Sequence, residues 1–103
     1  MQDIDPKKLE ENAEKAAKVL KSMSHPSRLM VLCHLMNGEC PVSELNQAVP
    51  LSQSALSQHL AGLRKAELVD TRREGLVIYY RLESAAVSGI LEALYRIYCN
   101  PNN

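Results

Sequence analysis

The chain is 103 residues long, 46% hydrophobic and 23% charged, and its twelve basic side chains are balanced by twelve acidic ones. That composition gives room for one globular domain and excludes a mainly disordered chain, while a net charge of zero leaves any polyanion partner to be judged from local charge. No run nears the roughly 20 apolar residues of a membrane span, and the N-terminal MQDIDPKKLEEN lacks a signal peptide's apolar segment, so a cytoplasmic protein with no membrane partner is expected. Without Phe or Trp the core must be built from Leu, Val, Ile, Met, Ala and four Tyr, a modest core of the kind that oligomerisation supplements. Three cysteines, an odd number in a reducing compartment, do not make a disulfide framework.

Leu9, Ala13, Ala16 and Leu20 recur at helical spacing and predict an amphipathic helix over about 6–22, its small residues suited to close packing. Ser24-His25-Pro26 is a start signal, with Ser24 as N-cap, for a second helix running to about Met36. That helix, RLMVLCHLM, is apolar almost all round and is expected to be buried. Pro41 opens a short third helix, VSELNQAV, and Ser52 is placed to cap a fourth, so that 42–66 reads as two helices joined by a brief turn. After Lys65 the period falls from 3.6 to 2. LVDTR and LVIYYRL form a hairpin over about 68–82, with Gly75 in the left-handed turn position and Ile78, Tyr80 and Leu82 on the core face. Ser84 caps a last helix to about Cys99, with Val87, Ile90, Leu91, Leu94 and Tyr98 on a broad apolar face. The expected fold is mainly α with a small β-hairpin, a winged helix-turn-helix of order α-α-α-α-β-β-α spanning residues 1–103 as one domain. The first and last helices (about 6–22 and 84–99) carry more apolar surface than so small a core absorbs, which predicts a symmetric homodimer.

The fourth helix, SQSALSQHLAGLRK, has an unusual outer face. Leu56, Leu60 and Leu63 form its buried stripe, but Ser54, Ser57, Gln58 and Ala61 stand where a solvated helix would carry Lys and Glu. Small amide and hydroxyl side chains suit a helix that enters a major groove. Gln58 can pair with adenine, Ser54 and Ser57 can reach bases or phosphates, and Gln53 lies near the N-terminus where phosphates are attracted. Arg64 and Lys65 at the far end, and Arg72 and Arg73 in the wing, are placed to hold the phosphate backbone. Between Ser52 and Leu82 five basic residues face three acidic ones. The competing reading is that Ser and Gln merely decorate a solvated face. His59 falls nearer the buried side and is expected to be structural.

The stretch SQSALSQHLAGLRKAELVDTRREGLVIYYRL, with SHPSRLMVL upstream, resembles the ArsR/SmtB family of bacterial winged-helix repressors over nearly the whole chain. The resemblance implies a homodimeric transcriptional repressor that binds double-stranded operator DNA and releases it when an inducer binds. Glu67 departs from the pattern, since family members often have glycine there, and it is expected to strain the helix end. Many members sense metals through a Cys-x-Cys in the third helix or through ligands on the last; here those thiol positions hold Pro41 and Ser43, and the last helix has neither His nor Asp. Neither common metal site is present, and no metal or cofactor is expected.

In LMVLCHL and LYRIYC the chain resembles the subgroup that includes HlyU and the biofilm-growth and sulfide-responsive repressors. That resemblance assigns Cys33 and Cys99 as a thiol pair that senses reactive sulfur species or oxidants. In that chemistry a thiolate takes up sulfane sulfur and a second thiol resolves the persulfide. Against it stand the reading of Cys33 as a small buried hydrophobe and a soft-metal site using Cys33, Cys40 and Cys99. Cys40, between Gly38 and Pro41, is expected in an exposed loop. Two further classes compete with a DNA-binding regulator. A winged-helix module that works mainly by protein interaction predicts weak non-specific DNA affinity, and an anti-silencer raises transcription by displacing a silencing protein; an enzyme has little support, because Ser57 and His59 are two apart on one helix and cannot face each other.

Overall fold

The computed structural model describes residues 5–99. Its elements are α1 (Pro6–Met23), α2 (Pro26–Leu35), β1 (Cys40–Pro41), α3 (Val42–Ala48), α4 (Gln53–Lys65), β2 (Val69–Glu74), β3 (Val77–Leu82) and α5 (Ala85–Tyr98). Five helices and the β2–β3 hairpin match the expected order, and β1 is an addition. It pairs antiparallel with β3, Cys40 opposite Tyr80, and makes a three-stranded sheet of order β1-β3-β2. The first hairpin strand runs two residues further than the sequence suggests, to Glu74, which pairs with Val77 and leaves Gly75-Leu76 as a two-residue loop. Gly75 has φ +64°, the sign that primed hairpin turns require at the first loop position.

Helix starts follow local chemistry, with one correction. Asp5, Ser52 and Ser84 accept hydrogen bonds from the backbone N–H groups of Lys7, Ala55 and Val87 and cap α1, α4 and α5. α2 is capped by His25, whose Nδ1 accepts from the Ser27 N–H at 3.1 Å, and not by Ser24, which instead closes the C-terminus of α1. An imidazole nitrogen two residues before the donor serves as well as a hydroxyl, and proline at the first helical position fixes the chain's direction.

One core joins these elements. Val31, Leu32 and Leu35 of α2, Leu45 of α3, Leu56, Leu60 and Leu63 of α4, Leu68 and Val69, and Val87 and Leu91 of α5 are all buried together. α2 is nevertheless less enclosed than its sequence suggests, because Met30 and Cys33 are exposed. Tyr80 and Leu82 pack against the core as expected. The α1 stripe does not: Leu9 and Leu20 are 48% and 51% exposed, and α1 contributes only Met23 and the partly buried Val19 inward.

The end of α4 is built as a Schellman motif. The Glu67 N–H donates to Arg64 O at 2.9 Å and the Leu68 N–H to Leu63 O at 3.0 Å, while Leu63 and Leu68 are both buried. The motif demands a left-handed residue at Glu67, whose φ is +63°. A side chain there costs roughly 1–2 kcal/mol. Glu67→Gly is therefore expected to raise stability by about 1 kcal/mol, read as a higher urea midpoint at unchanged slope.

Candidate nucleic-acid interface and thiol sites

α4 is anchored by Leu56, Leu60 and Leu63, so its opposite face is set by the helical advance of about 100° per residue. Ser54, Gln58, Ala61 and Lys65 lie there, all exposed. Gln53, Ser57 and Arg64 occupy the adjoining flank. With Val42 and Asn46 of α3 and with Ile78 and Tyr80 of β3, that flank borders an open groove of about 980 Å³. Gln53, Ser54, Ser57 and Gln58 are thus brought onto one continuous surface.

The basic residues assigned from sequence divide into two groups. Arg64, Lys65 and Arg73 are exposed and form no ion pair among the described residues. Arg72 is engaged. Its Nε donates to Glu39 Oε1 at 2.7 Å, its Nη1 donates to Glu74 Oε2 at 2.8 Å, and its guanidinium lies 4.4 Å from the Tyr79 ring centre. These two carboxylates push the Arg72 pKa further up, and the guanidinium holds Glu39 below the usual carboxylate range. Arg72 therefore braces the wing against the strand preceding α3, a job its sequence context did not announce. Arg81 does the same within the hairpin, donating to Asp70 at 2.8 Å.

His59 is structural, as its position on α4 suggested. Its Nδ1 accepts from Arg28 Nε at 3.1 Å, its ring lies 4.5 Å from that of His25, and Arg28 also donates to Ser22 O. A Cβ at Gly62 would meet this same guanidinium, so a larger residue there would push Arg28 from its place beside His59. Burial first, then the neighbouring His25 and Arg28, hold the His59 pKa below the ordinary histidine value. The folded state thus binds fewer protons than the unfolded one. Stability is complete above about pH 6.5 and declines as pH falls through that value. Urea melts between about pH 7.5 and 5.5 are expected to show this decline in the parent and a smaller one in His59→Gln; Glu39 and Glu44, held low by their partners, titrate below the window.

Cys33 on α2 and Cys99 at the end of α5 are both exposed. The fold brings them within electrostatic reach: burial, then the Cys99 sulfur, pushes the Cys33 thiol up. Cys40 overturns its expected exposed loop. Pairing of β1 with β3 buries it to 4% exposure, and desolvation together with Glu44 raises its pKa to about 11. The three cysteines do not form one site. Among the described residues, the side chains that could jointly hold a cation are Cys40, His34 and Glu44, a grouping hidden in the sequence because His34 and Glu44 flank the thiol from two different helices. No described helix is long and apolar enough to cross a membrane.

The family model for "bacterial regulatory protein, arsR family" matches residues 25–71, which span α2, the helix-turn-helix and the start of the wing. The transcriptional activator HlyU of Vibrio cholerae is 47% identical, over 91% of this chain and 87% of its own. The biofilm growth-associated repressor of Agrobacterium fabrum is 45% identical over 90% and 80%. Reduced HlyU from Vibrio cholerae superimposes with a TM-score of 0.85 at 47% identity, covering 89% of this chain and 97% of that one. With identity above 40% over about nine-tenths of its length, the chain belongs to the ArsR family of bacterial regulatory proteins and is a winged-helix transcriptional regulator, not an enzyme.

Proposed function

We propose that the protein is a homodimeric repressor that binds operator DNA through α4 and the wing and is switched by persulfide or oxidant chemistry at Cys33 and Cys99. The observation that carries the DNA half is the crest of small uncharged residues Ser54, Gln58 and Ala61 on α4, ending in Arg64 and Lys65 and neighboured by Arg73 of the wing, three cations without an ion pair among the described residues. Gln58 and Ser54 read base edges, Ser57 and Gln53 contact bases or phosphates, and the three cations hold the backbone. Arg72, already neutralised by Glu39 and Glu74, sets the wing's position instead. Exposed Leu9 and Leu20 on α1, with Tyr95 (57%) and Tyr98 (79%) on α5, are the surface for the second copy.

The switch rests on the influence of Cys99 on Cys33. One thiol takes the outer sulfur of a low-molecular-weight persulfide R–S–SH, releasing R–SH and leaving a protein persulfide. The second thiol then displaces hydrogen sulfide and closes a disulfide; if both carry persulfides, loss of hydrogen sulfide leaves a trisulfide. Cys33, with its pKa raised, suits the waiting, protonated partner. A bridge between α2 and the end of α5 stiffens the dimer surface and changes the spacing of the two α4 helices, which must match half-sites one helical turn apart.

The test is intact and peptide mass spectrometry of the reduced protein after a persulfide donor, peroxide or zinc, each paired with DNA-binding titrations. A Cys33–Cys99 link with lost affinity is expected for the first two. Thiols left unlinked and operator affinity unchanged after both the persulfide donor and peroxide would end the dithiol assignment. The name "activator" on the Vibrio cholerae relative favours a second reading, displacement of a silencing protein. It requires operator binding that raises transcription only when that silencer is present.

A further inference from the structure

We propose that His34, Cys40 and Glu44 form a binding site for one borderline divalent transition-metal ion of the zinc type, separate from the Cys33–Cys99 pair. The three residues come from three elements: His34 from the last turn of α2, Cys40 from β1 and Glu44 from the first turn of α3. One nitrogen, one sulfur and one oxygen donor lie within 4.8 Å of one another. His34 Nε2 and Glu44 Oε2 are already 3.0 Å apart. Metal bonds of about 2.0–2.3 Å in a tetrahedron hold donor atoms roughly 3.3–3.8 Å apart, so side-chain adjustments of about an ångström close the site.

The donor set selects the cation. A thiolate with an imidazole disfavours calcium and magnesium, the carboxylate disfavours copper(I), and three protein donors leave one tetrahedral position open to water. The sulfur is at the buried end, with Cys40 4% exposed, while His34 and Glu44 side chains are 30% and 54% exposed and give the ion a way in. Cys40 sits at the edge of the hydrophobic core, where its thiol is hydrogen-bonded to the Glu44 carboxylate. The bound ion would tie α2 to α3 across the Met36–Glu39 connection and, through the Cys40–Tyr80 pairing, to the wing. It stiffens the entry to the helix-turn-helix, a role independent of the thiol switch.

The experiment titrates the reduced, chelator-stripped full chain with cobalt(II) alone. One equivalent per chain is expected to give intense tetrahedral visible bands with a thiolate-to-cobalt charge-transfer band, both displaced by zinc. Cys40→Ser abolishes the charge-transfer band, and Cys33→Ser with Cys99→Ser retains it. His34→Gln and Glu44→Gln, at partly exposed positions where the fold tolerates change, each weaken binding at least tenfold. The proposal fails if no saturable tetrahedral spectrum forms, if the band survives Cys40→Ser, or if it is lost with Cys33 and Cys99. Should Cys40→Ser not fold, unchanged affinity in both His34→Gln and Glu44→Gln overturns it equally.

Discussion

Replacing Gln58 with alanine is expected to cost the dimer between roughly thirtyfold and twenty-thousandfold in operator affinity, because a bidentate amide–adenine pair is worth about 1–3 kcal/mol and a symmetric dimer makes it twice. The loss should fall on specificity. Gln58 carries no charge and releases no counterion, so the slope of log affinity against log salt stays at the parent value. Arg64→Ala gives the opposite pattern: affinity for operator and for unrelated DNA drops alike, and the salt slope shrinks by about 0.9 for each phosphate left without its cation. Arg72→Ala should act through the wing's geometry, since it unties Glu39 and Glu74 and uncovers Tyr79. Fluorescence anisotropy with operator and scrambled duplexes across a series of salt concentrations separates the three behaviours. Equal affinity of Gln58→Ala and the parent for operator would remove α4's crest from base reading.

The legible parts of this fold are those fixed by neighbours in sequence. Leu56, Leu60 and Leu63 repeat at helical spacing, Ser52 sits just ahead of the helix that carries them, and the buried stripe, the cap and hence the exposed crest of α4 all follow. Gly75 marks the hairpin for the same reason: a two-residue loop needs its positive φ. The strain at Glu67 was legible by a different route, from glycine being the family's usual residue there.

What escaped the sequence depends on contacts between distant segments. β1 has only two residues and no period of its own; it exists because Cys40 and Pro41 find Tyr80 and Tyr79 far along the chain. Its pairing decides the burial of Cys40, turning an apparent loop thiol into a shielded one beside Glu44. Arg72 looks like any wing cation until Glu39, 33 residues earlier, arrives within 2.7 Å. Local pattern can place such a residue on a strand, but its electrostatic partner is a property of the closed sheet.

Leu63→Ala should produce the largest loss of stability. Leu63 is 0% exposed, anchors the last turn of α4 and supplies the apolar half of the Schellman contact with Leu68. Truncating such a leucine costs about 2–5 kcal/mol, rising with the cavity that remains, against a total of roughly 5–15 kcal/mol for a typical domain. At about 4–8 °C per kcal/mol, Tm falls by roughly 10 °C or more, and it does so whatever the protein concentration. Leu20→Ala provides the contrast. With Leu20 51% exposed in the single chain, its truncation costs little within the protomer and matters only where a second copy covers it. In the parent, Tm should rise with protein concentration, as mass action requires of a dimer. Leu63→Ala lowers that line in parallel, whereas Leu20→Ala shifts the dimer–monomer midpoint seen by sedimentation to higher concentration. If Leu20→Ala left that midpoint unchanged, α1 would have no part in the dimer surface, and the coupling from Cys33 and Cys99 to the two α4 helices would have to run through α5 alone.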